Sequence, residues 1–498
     1  MKKKYCIGIR LESKSQESRV PLVPYDINDL INYEHKERIE IVIEKTRVKL
    51  EIVDGKYLRP RCFSDKEYEK SGAIISNDLH NCKVILGIKE IPLNQFQTGK
   101  TYVFFSHTYK GQDYNKSMFI EMIRKKCTLV DYELIVKNES EYKFEQVRKE
   151  LNNGLAPASK FMRTVSFGKH AGIVGAINTL WILGMKLEAD GFFTPFTRLA
   201  QAINYRQCDT NSSKVELDDH KEGINDYSLA VRALVVIREE LINESTKKYD
   251  PVIIGITGKS SNPHRELGNV GKGVKEVIDI LEPIELLPED LINKEQFDNN
   301  EIYVVYFDRK QTTEVEFAKY LPKLTVILNC MKWEKGDDRP MSVNNLKTLY
   351  EKNPDKILVI GDITCDPGGS LEPCQDVYSD KPYYIYLPEK DTGNIGDWAI
   401  EKKRSGLFSR TCKLGHLKGS GAIITSITNL PCELPKEASR KFSFMLRDWI
   451  MELAKIDGEE RDFTILKIRR PIKRAIILYK GNLTPDYKYL EEKYNLKK

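Results

Sequence analysis

Three short stretches of the chain gather side chains able to bind anions and move protons. Glu17-Ser-Arg19 follows an apolar run, Lys89 closes KVILGIK and precedes Glu90-Ile-Pro92, and His107 follows TYVFF in FFSHTYKGQ. An arginine offers a planar fork that matches a carboxylate. A histidine titrates near neutrality, and a lysine lowers its pKa when desolvated. Together the three types suit a carboxylate-bearing substrate and proton transfer. Taken singly, each is equally compatible with an ordinary surface or cap residue. His107 is the best placed of the seven histidines: His35, His80, His220, His264 and His416 lie in polar surroundings, and His170 lies in a long apolar stretch.

A second grouping is rich in glycine. Gly255-Ile-Thr-Gly258 ends an apolar run, and Gly268-Asn-Val-Gly271-Lys-Gly273 opens the helical pattern Val274 to Leu281. Glycines let a backbone approach a pyrophosphate, and a helix N-terminus presents N–H groups and partial positive charge. Between the two groups lie the nine residues Lys259 to Leu267, longer than the usual dinucleotide turn. Lys259, Ser260 and Arg265 are candidates for added phosphate contacts. A glycine-rich turn without a ligand is the plain alternative. Glu285 is the nearest candidate for a ribose partner, which leaves NAD and NADP both open.

The elements that must carry these residues alternate. Strand-like runs are Tyr5 to Arg10, Ile39 to Ile43, Lys83 to Lys89, Thr101 to Phe105 and Thr128 to Leu134, with helical spacing at Pro24 to Tyr33 and Asn115 to Arg124. Strand and helix in alternation predict a parallel α/β sheet, whose ligands bind beyond the carboxyl ends of strands. Phe167 to Ala189 predicts a long helix, residues 206 to 224 a polar loop, and Asp226 to Glu244 an amphipathic helix. Pro251 to Thr257 is the clearest strand; others fall at Ile302 to Tyr306, Thr325 to Leu328, Ile357 to Ile360 and Ala422 to Ile427, before a helix over Phe442 to Ala454.

The composition of the 498 residues is that of a globular protein, 41% hydrophobic and 31% charged. The net charge of +6 is the small difference between 79 basic and 73 acidic residues, so it gives no reason to expect a nucleic-acid or membrane partner. Ten cysteines without CxxC spacing argue against a disulfide framework and a zinc site. The basic N-terminus MKKKYC continues into IGIRLES, which breaks the apolar core a signal peptide needs. Ala171 to Met185 is too short to span a bilayer. The expectation is a cytoplasmic protein without a metal.

The ordered motifs resemble the lysine–ketoglutarate reductase region of α-aminoadipic semialdehyde synthase and the related lysine-forming saccharopine dehydrogenase, within the wider alanine dehydrogenase–transhydrogenase N-terminal superfamily. The matching segments are ESRVPLVP (17–24), LGIKEIP (86–92), TYVFFSHTYKGQ (101–112), LVDYELI (129–135), RTVSFGKHAGIVGA (163–176), GNVGKG (268–273), GDITCDPGGSLE (361–372), GSGAIITSITNLPCELPKEAS (419–439) and LTPDYKYLEE (483–492). The resemblance implies two Rossmann-like α/β domains with largely parallel sheets and a cleft between them. The first, a substrate domain over 1–165 and 430–498, is interrupted by a dinucleotide-binding domain over 166–429. It implies NAD(P)-dependent interconversion of saccharopine with lysine plus 2-oxoglutarate, small-molecule substrates that need no metal.

Carried onto this chain, the resemblance makes Lys89 and His107 the acid/base pair. Arg19 becomes the grip on a substrate carboxylate, and Glu133 and Arg163 line the substrate pocket. Gly258, Gly268, Asn269, Val270 and Gly271 form the cofactor loop, and Asp362 stands near the nucleotide. The chain departs from the family pattern in its long phosphate turn, in Thr428 and Lys418 where acidic residues are usual, and in a basic stretch over 389–416. These departures keep two alternatives: an inactive binding or regulatory relative, and an imine-reducing enzyme for another amino or keto acid.

Overall fold

The computed structural model describes residues 4–35, 38–49, 51–53, 56–136, 163–206, 226–243, 249–260, 267–387, 400–401, 417, 419–456 and 460–496. Outside the described residues lie nearly all of the polar segment 206–224, most of the basic stretch 389–416, and Arg265, Lys418, His220, His264 and His416. The chain divides into two units, residues 1–167 with 435–498, and residues 168–434.

The first unit is built on strands β1 (Tyr5–Ile9), β2 (Ile39–Glu44), β3 (Glu51–Val53), β4 (Lys56–Leu58), β5 (Ile74–Ser76), β6 (Val84–Leu86), β7 (Thr101–Phe104) and β8 (Thr128–Asp131). The second carries β9 (Val252–Lys259), β10 (Ile284–Leu286), β11 (Ile302–Asp308), β12 (Val326–Asn329), β13 (Val359–Asp362), β14 (Tyr384–Tyr386), β15 (Ile400–Glu401) and β16 (Ala422–Thr425). The chain then returns to the first unit with β17 (Ile476–Tyr479) and β18 (Asn482–Leu483).

The first unit's eight-stranded sheet has the order β18-β17-β8-β7-β6-β1-β2-β5. From β8 to β5 every pairing is parallel; β17 and β18 add an antiparallel edge. Central strands such as β6 (VIL) and β7 (TYVF) are buried throughout, as continuous apolar runs covered on both faces must be. Consequently the carboxyl ends of β1, β6, β7 and β8 stand side by side, and these are the ends that carry Arg19, Lys89, His107 and Glu133.

The covering helices have local reasons to start and stop where they do. Helix α1 (Pro24–Asp29) begins with proline at its first position, where the missing N–H costs nothing, and runs on into a π turn at Leu30–Glu34. Helix α2 (Asp65–Lys70) is opened by a reciprocal Ser64/Glu67 capping box. Helix α3 (Lys116–Arg124) buries Met118, Phe119 and Met122. The helix expected over Phe442 to Ala454 starts earlier and is broken: Pro435–Leu446, a 3-10 turn at Arg447–Trp449, then Ile450–Lys455. Ser439 and Ser443 on its first piece accept the N–H groups of Val20 and Val23, tying the returning chain to the segment after β1.

The second unit has the order β10-β11-β9-β12-β13-β16-β14-β15, parallel except at β14. Helix α4 (Gly168–Ala189) is buried on nearly every side, which its apolar and small residues allow. It crosses helix α6 (Asn269–Ile278), which follows α5 (Asp226–Asn243), at very close range. A Cβ on Gly172 would lie 2.0 Å from the Val270 carbonyl oxygen, and one on Gly273 would lie 1.9 Å from that of Lys169. Only glycine fits either place. Gly273, read as part of a nucleotide turn, therefore serves helix packing. Each unit has its own apolar core. Among the described residues, no helix is long and apolar enough to cross a membrane.

Candidate active site

His107 stands three residues beyond the end of β7, in a left-handed turn with φ 54°. Few side chains adopt that conformation, and it persists only where surroundings over-determine it. Asp131, at the end of the neighbouring strand β8, supplies the restraint. Its Oδ2 accepts the backbone N–H of Ser106 (3.0 Å), the Ser106 hydroxyl (2.6 Å) and the N–H of His107 (3.0 Å). Its Oδ1 accepts the N–H of Glu133 at 2.9 Å. One fully buried carboxylate thus sets the positions of both His107 and Glu133. Burial, with Glu133 nearby, pushes the Asp131 carboxyl above its ordinary value.

The Glu133 carboxylate is shared between an imidazole and a guanidinium. Its Oε2 lies 3.2 Å from His107 Nδ1 and its Oε1 lies 3.0 Å from Arg163 Nη1. Burial alone would raise this carboxyl; the His107 hydrogen bond and Arg163 outweigh it and hold the group well below the usual carboxylate range. An ionised carboxylate at Nδ1 selects the Nδ1–H tautomer and leaves Nε2 as the basic nitrogen. The imidazole is 22% exposed, enough to meet a substrate. Tyr109 lies beside the same carboxylate, its phenol pushed up by burial and by Glu133.

Lys89 is placed by a parallel device. Glu12, beyond the end of β1, accepts the N–H of Ile88 (2.8 Å) and of Lys89 (3.1 Å), which continue the line of β6. Glu12 is buried against Arg10, whose Nη1 is 3.2 Å from its Oε2. Burial, then the Arg19 charge, lower the Lys89 ammonium from its ordinary value, with Glu17 opposing. A lysine so placed loses its proton more readily and can act as a base. Glu90 forms a 3.2 Å pair with Lys14.

Arg19 departs from the expected role of an open grip. Its guanidinium is bidentate to Glu17, with Nε–Oε1 at 2.8 Å and Nη2–Oε2 at 2.6 Å, and its Cζ lies 4.1 Å from the Phe167 ring centre. Both residues are almost fully buried. A substrate carboxylate would have to share this fork with Glu17. Phe167 stacks on Phe442 at 4.4 Å and leans on Phe105, next to His107, so an aromatic floor runs from Arg19 to the imidazole.

In the second unit, Gly258 has φ +88°, and a Cβ there would lie 2.8 Å from the Cys330 backbone. Residues 261–266, most of the long turn, lie outside the described residues. Lys259 bridges to Leu267, so the turn leaves and rejoins the same point. Gly268 caps α6, with open space where its side chain would be and no side-chain cap. Asn269, Val270 and Gly271 form the first turn, whose amides lack intrahelical partners. A strand end and a helix N-terminus so placed offer backbone N–H groups of the kind a dinucleotide's pyrophosphate accepts. Asp362 sits differently from its expected role near a nucleotide. Its Oδ1 accepts from Asn329 Nδ2 (2.8 Å) and Thr364 (2.9 Å), and Asn329 Oδ1 accepts from Thr257 (2.6 Å). It braces the ends of β9, β12 and β13 from within, and burial raises its carboxyl. Thr428 is exposed beyond the end of β16.

Three residues escaped the sequence reading. Asp131 and Glu12 act through backbone N–H groups, which no side-chain pattern reveals. Asp308 ends β11, and β11, not β10, is the strand beside β9. Asp308 pairs in register with Lys259, next to the glycine turn, whereas Glu285 lies on the edge strand β10. The terminal acid of IYVVYFD was a usable signal, since the strand expected over Ile302 to Tyr306 runs on to Asp308.

Among the described residues, no group of three or more His, Cys, Asp or Glu could hold a metal ion. Residues 8–148 match the alanine dehydrogenase/PNT N-terminal domain. The chain is 26% identical over 534 aligned positions to mitochondrial alpha-aminoadipic semialdehyde synthase of Bos taurus, covering 98% of this chain and 48% of that protein. The chain thus spans about half the length of that relative. It is 21% identical to the NAD(+), L-lysine-forming saccharopine dehydrogenase of Yarrowia lipolytica, covering 91% of this chain and 93% of that one. A solved L-alanine dehydrogenase superposes with TM-score 0.53 at 12% identity, covering 98% of this chain and 99% of the other. Residues 8–148 thus match the alanine dehydrogenase/PNT N-terminal domain, within a chain similar along nearly its whole length to alpha-aminoadipic semialdehyde synthases.

Proposed function

We propose that this protein is a nicotinamide-dependent oxidoreductase that interconverts saccharopine with L-lysine plus 2-oxoglutarate. The observation that carries the reading is the carboxylate-braced pair at the sheet's carboxyl edge. A desolvated Lys89 and a His107 oriented by Glu133 are both fixed by buried acids that hold their backbones. The names of the relatives from Bos taurus and Yarrowia lipolytica support the substrate class.

In this reading the lysine ε-amine must lose its proton before attacking the ketone, and Lys89 accepts it. His107 Nε2 takes a proton from the attached nitrogen and passes it to the carbinolamine oxygen, which leaves as water with the proton that Lys89 returns, and the reverse direction uses the same groups in reverse. Glu133 holds Nδ1–H and so orients Nε2. Arg163 and Arg19, each already beside a carboxylate, give the pocket the positive charge that a tricarboxylate product requires. The glycine turn, α6 and Asp308 would hold the dinucleotide, which when bound supplies or accepts the hydride at the imine carbon. An acid at the end of the strand beside β9 suits a ribose 2′-hydroxyl and repels a 2′-phosphate, so the preferred coenzyme is NAD.

The test is coenzyme oxidation followed at the nicotinamide absorbance band. Loss of NADH that requires both lysine and 2-oxoglutarate supports the reading. Loss with another amino or keto acid but not this pair would make the protein an imine reductase of different specificity. One set of observations favours a binding protein without turnover: Arg19 is closed on Glu17, and Thr428 stands where the family pattern has an acid. Substrate binding by calorimetry without coenzyme oxidation would select that alternative.

A further inference from the structure

At the amino end of the first unit's sheet, opposite the edge that carries Lys89 and His107, two thiols meet. Cys6 lies in β1, and Cys82 lies in the turn that enters β6. Their sulfurs are 3.2 Å apart, closer than two non-bonded sulfurs ordinarily rest. The two strands are hydrogen-bonded neighbours, with Ile7 opposite Val84 and the N–H of Lys83 donating to the Cys6 carbonyl. Cys6 and Gly8 face the same side of the sheet, because side chains alternate along a strand. A Cβ on Gly8 would lie 3.1 Å from Cys82 Cβ and 3.2 Å from its sulfur. The glycine is what lets Cys82 lie down against β1.

We propose that Cys6 and Cys82 form a redox-modifiable dithiol that small-molecule disulfides convert to an intramolecular disulfide bridging β1 and the turn before β6. The two thiols are unequal in ways that assign their roles. Cys6 is partly exposed, whereas Cys82 is buried. The hydrogen bond with Cys82 lowers the Cys6 thiol below its ordinary value, and Lys100 adds to this against burial and Glu40. The Lys100 ammonium is fixed nearby by the Cys82 carbonyl at 2.6 Å. Cys82 is held far above its ordinary value, first by its hydrogen bond to Cys6 and then by burial. Since the thiolate is the nucleophile, Cys6 attacks first.

The steps balance as thiol–disulfide exchange. The Cys6 thiolate attacks one sulfur of a small disulfide; that S–S bond breaks, and one small thiolate leaves. The Cys82 thiol gives its proton to a departing thiolate and attacks the Cys6 sulfur, and the second small thiol leaves. The protein pair is oxidised by two electrons, and the small disulfide is reduced to two thiols. Moving from contact to bond asks for an approach of roughly 1 Å, within the reach of side-chain rotation.

The experiment is peptide mapping of the full-length protein after exposure to oxidised glutathione, with free thiols blocked before digestion. The expected result is a cross-linked peptide pair containing Cys6 and Cys82, abolished by dithiothreitol, while the buried Cys62 and Cys127 remain alkylatable. In C82S, Cys6 should accumulate as a stable glutathione adduct; in C6S, Cys82 should stay reduced. Absence of the Cys6–Cys82 cross-link in the wild-type protein, with both thiols still alkylatable or with Cys6 held only as a mixed disulfide, would overturn the proposal. None of these readouts depends on catalytic turnover, so they stand apart from the test of the proposed function.

Discussion

The two units place buried carboxylates at the same topological position, the carboxyl ends of parallel strands, and use them oppositely. In the first unit Asp131 and Glu12 accept backbone N–H groups, and the residues they position, His107 and Lys89, remain only partly buried. In the second unit Asp362 is spent inward, on Asn329 and Thr364, and what faces outward is backbone: Gly258, Gly268 and the first turn of α6. Side-chain chemistry needs titratable groups braced by acids. A site for a pyrophosphate needs N–H groups and an absence of side chains. Under the proposed function, the difference between the units is the difference between a reacting surface and a cradle.

The comparison breaks most readily at the reacting surface. Replacing His107 or Lys89 by alanine should lower kcat by about a hundred- to ten-thousand-fold, the range for a removed acid or base. The unfolding midpoint should move little, because neither side chain is a packed apolar group. Unchanged turnover in both variants would remove them from the mechanism and dissolve the contrast.

Next in size is a test of the cradle's support. Gly273→Ala puts a methyl group on the Lys169 carbonyl, so α4 and α6 must separate. Overpacking of this kind costs about 1–3 kcal/mol. Urea unfolding should show it. An alanine variant as stable as the parent would mean that the crossing is looser than described.

A smaller effect should come from Asp308. Loss of a charge-assisted hydrogen bond to a ribose is worth about 1.5–3 kcal/mol, which corresponds to about ten- to a hundredfold weaker NADH binding. Calorimetric titration of Asp308→Ala with NADH and NADPH should show the loss confined to NADH. Equal loss for both coenzymes would place the nucleotide elsewhere.

The smallest effect is the pH dependence of stability, and its sign differs between the units. Glu133 is held below its unfolded value, so its stabilisation is present above the ordinary carboxylate range, near pH 4, and is lost as pH falls. Asp362 is raised, so its favourable contribution is present below that range and is lost as pH rises through the folded value. Unfolding midpoints of Glu133→Gln and Asp362→Asn measured between pH 3 and 7 should therefore diverge from the parent in opposite directions. Parallel curves would show that the two acids are not in opposite electrostatic settings.

How much of this was legible before the fold was known follows from the same contrast. Lys89 and His107 could be located because β-branched and aromatic runs announce the strands that end beside them. Helix α4 was expected within a residue of its observed start, since apolar and small residues dominate Phe167 to Ala189. Asp131 and Glu12 were not legible, because their work is done on backbone groups brought near by strand pairing. Asp308 was missed because the strand expected over Ile302 to Tyr306 runs on to Asp308. Arg19 was identified as a cation without the knowledge that Glu17, two residues away, turns back and takes its fork. Gly273 is a further instance: its place in GNVGKG looks like a loop for a ligand, and its reason is a helix crossing.

The most direct measurement of the central claim is product identification. The protein is incubated with L-lysine, 2-oxoglutarate and NADH, and the mixture is analysed by mass spectrometry alongside coenzyme absorbance. The account predicts saccharopine formed in equal amount to the NADH consumed, and neither change when lysine or 2-oxoglutarate is omitted. No saccharopine with either NADH or NADPH would contradict it.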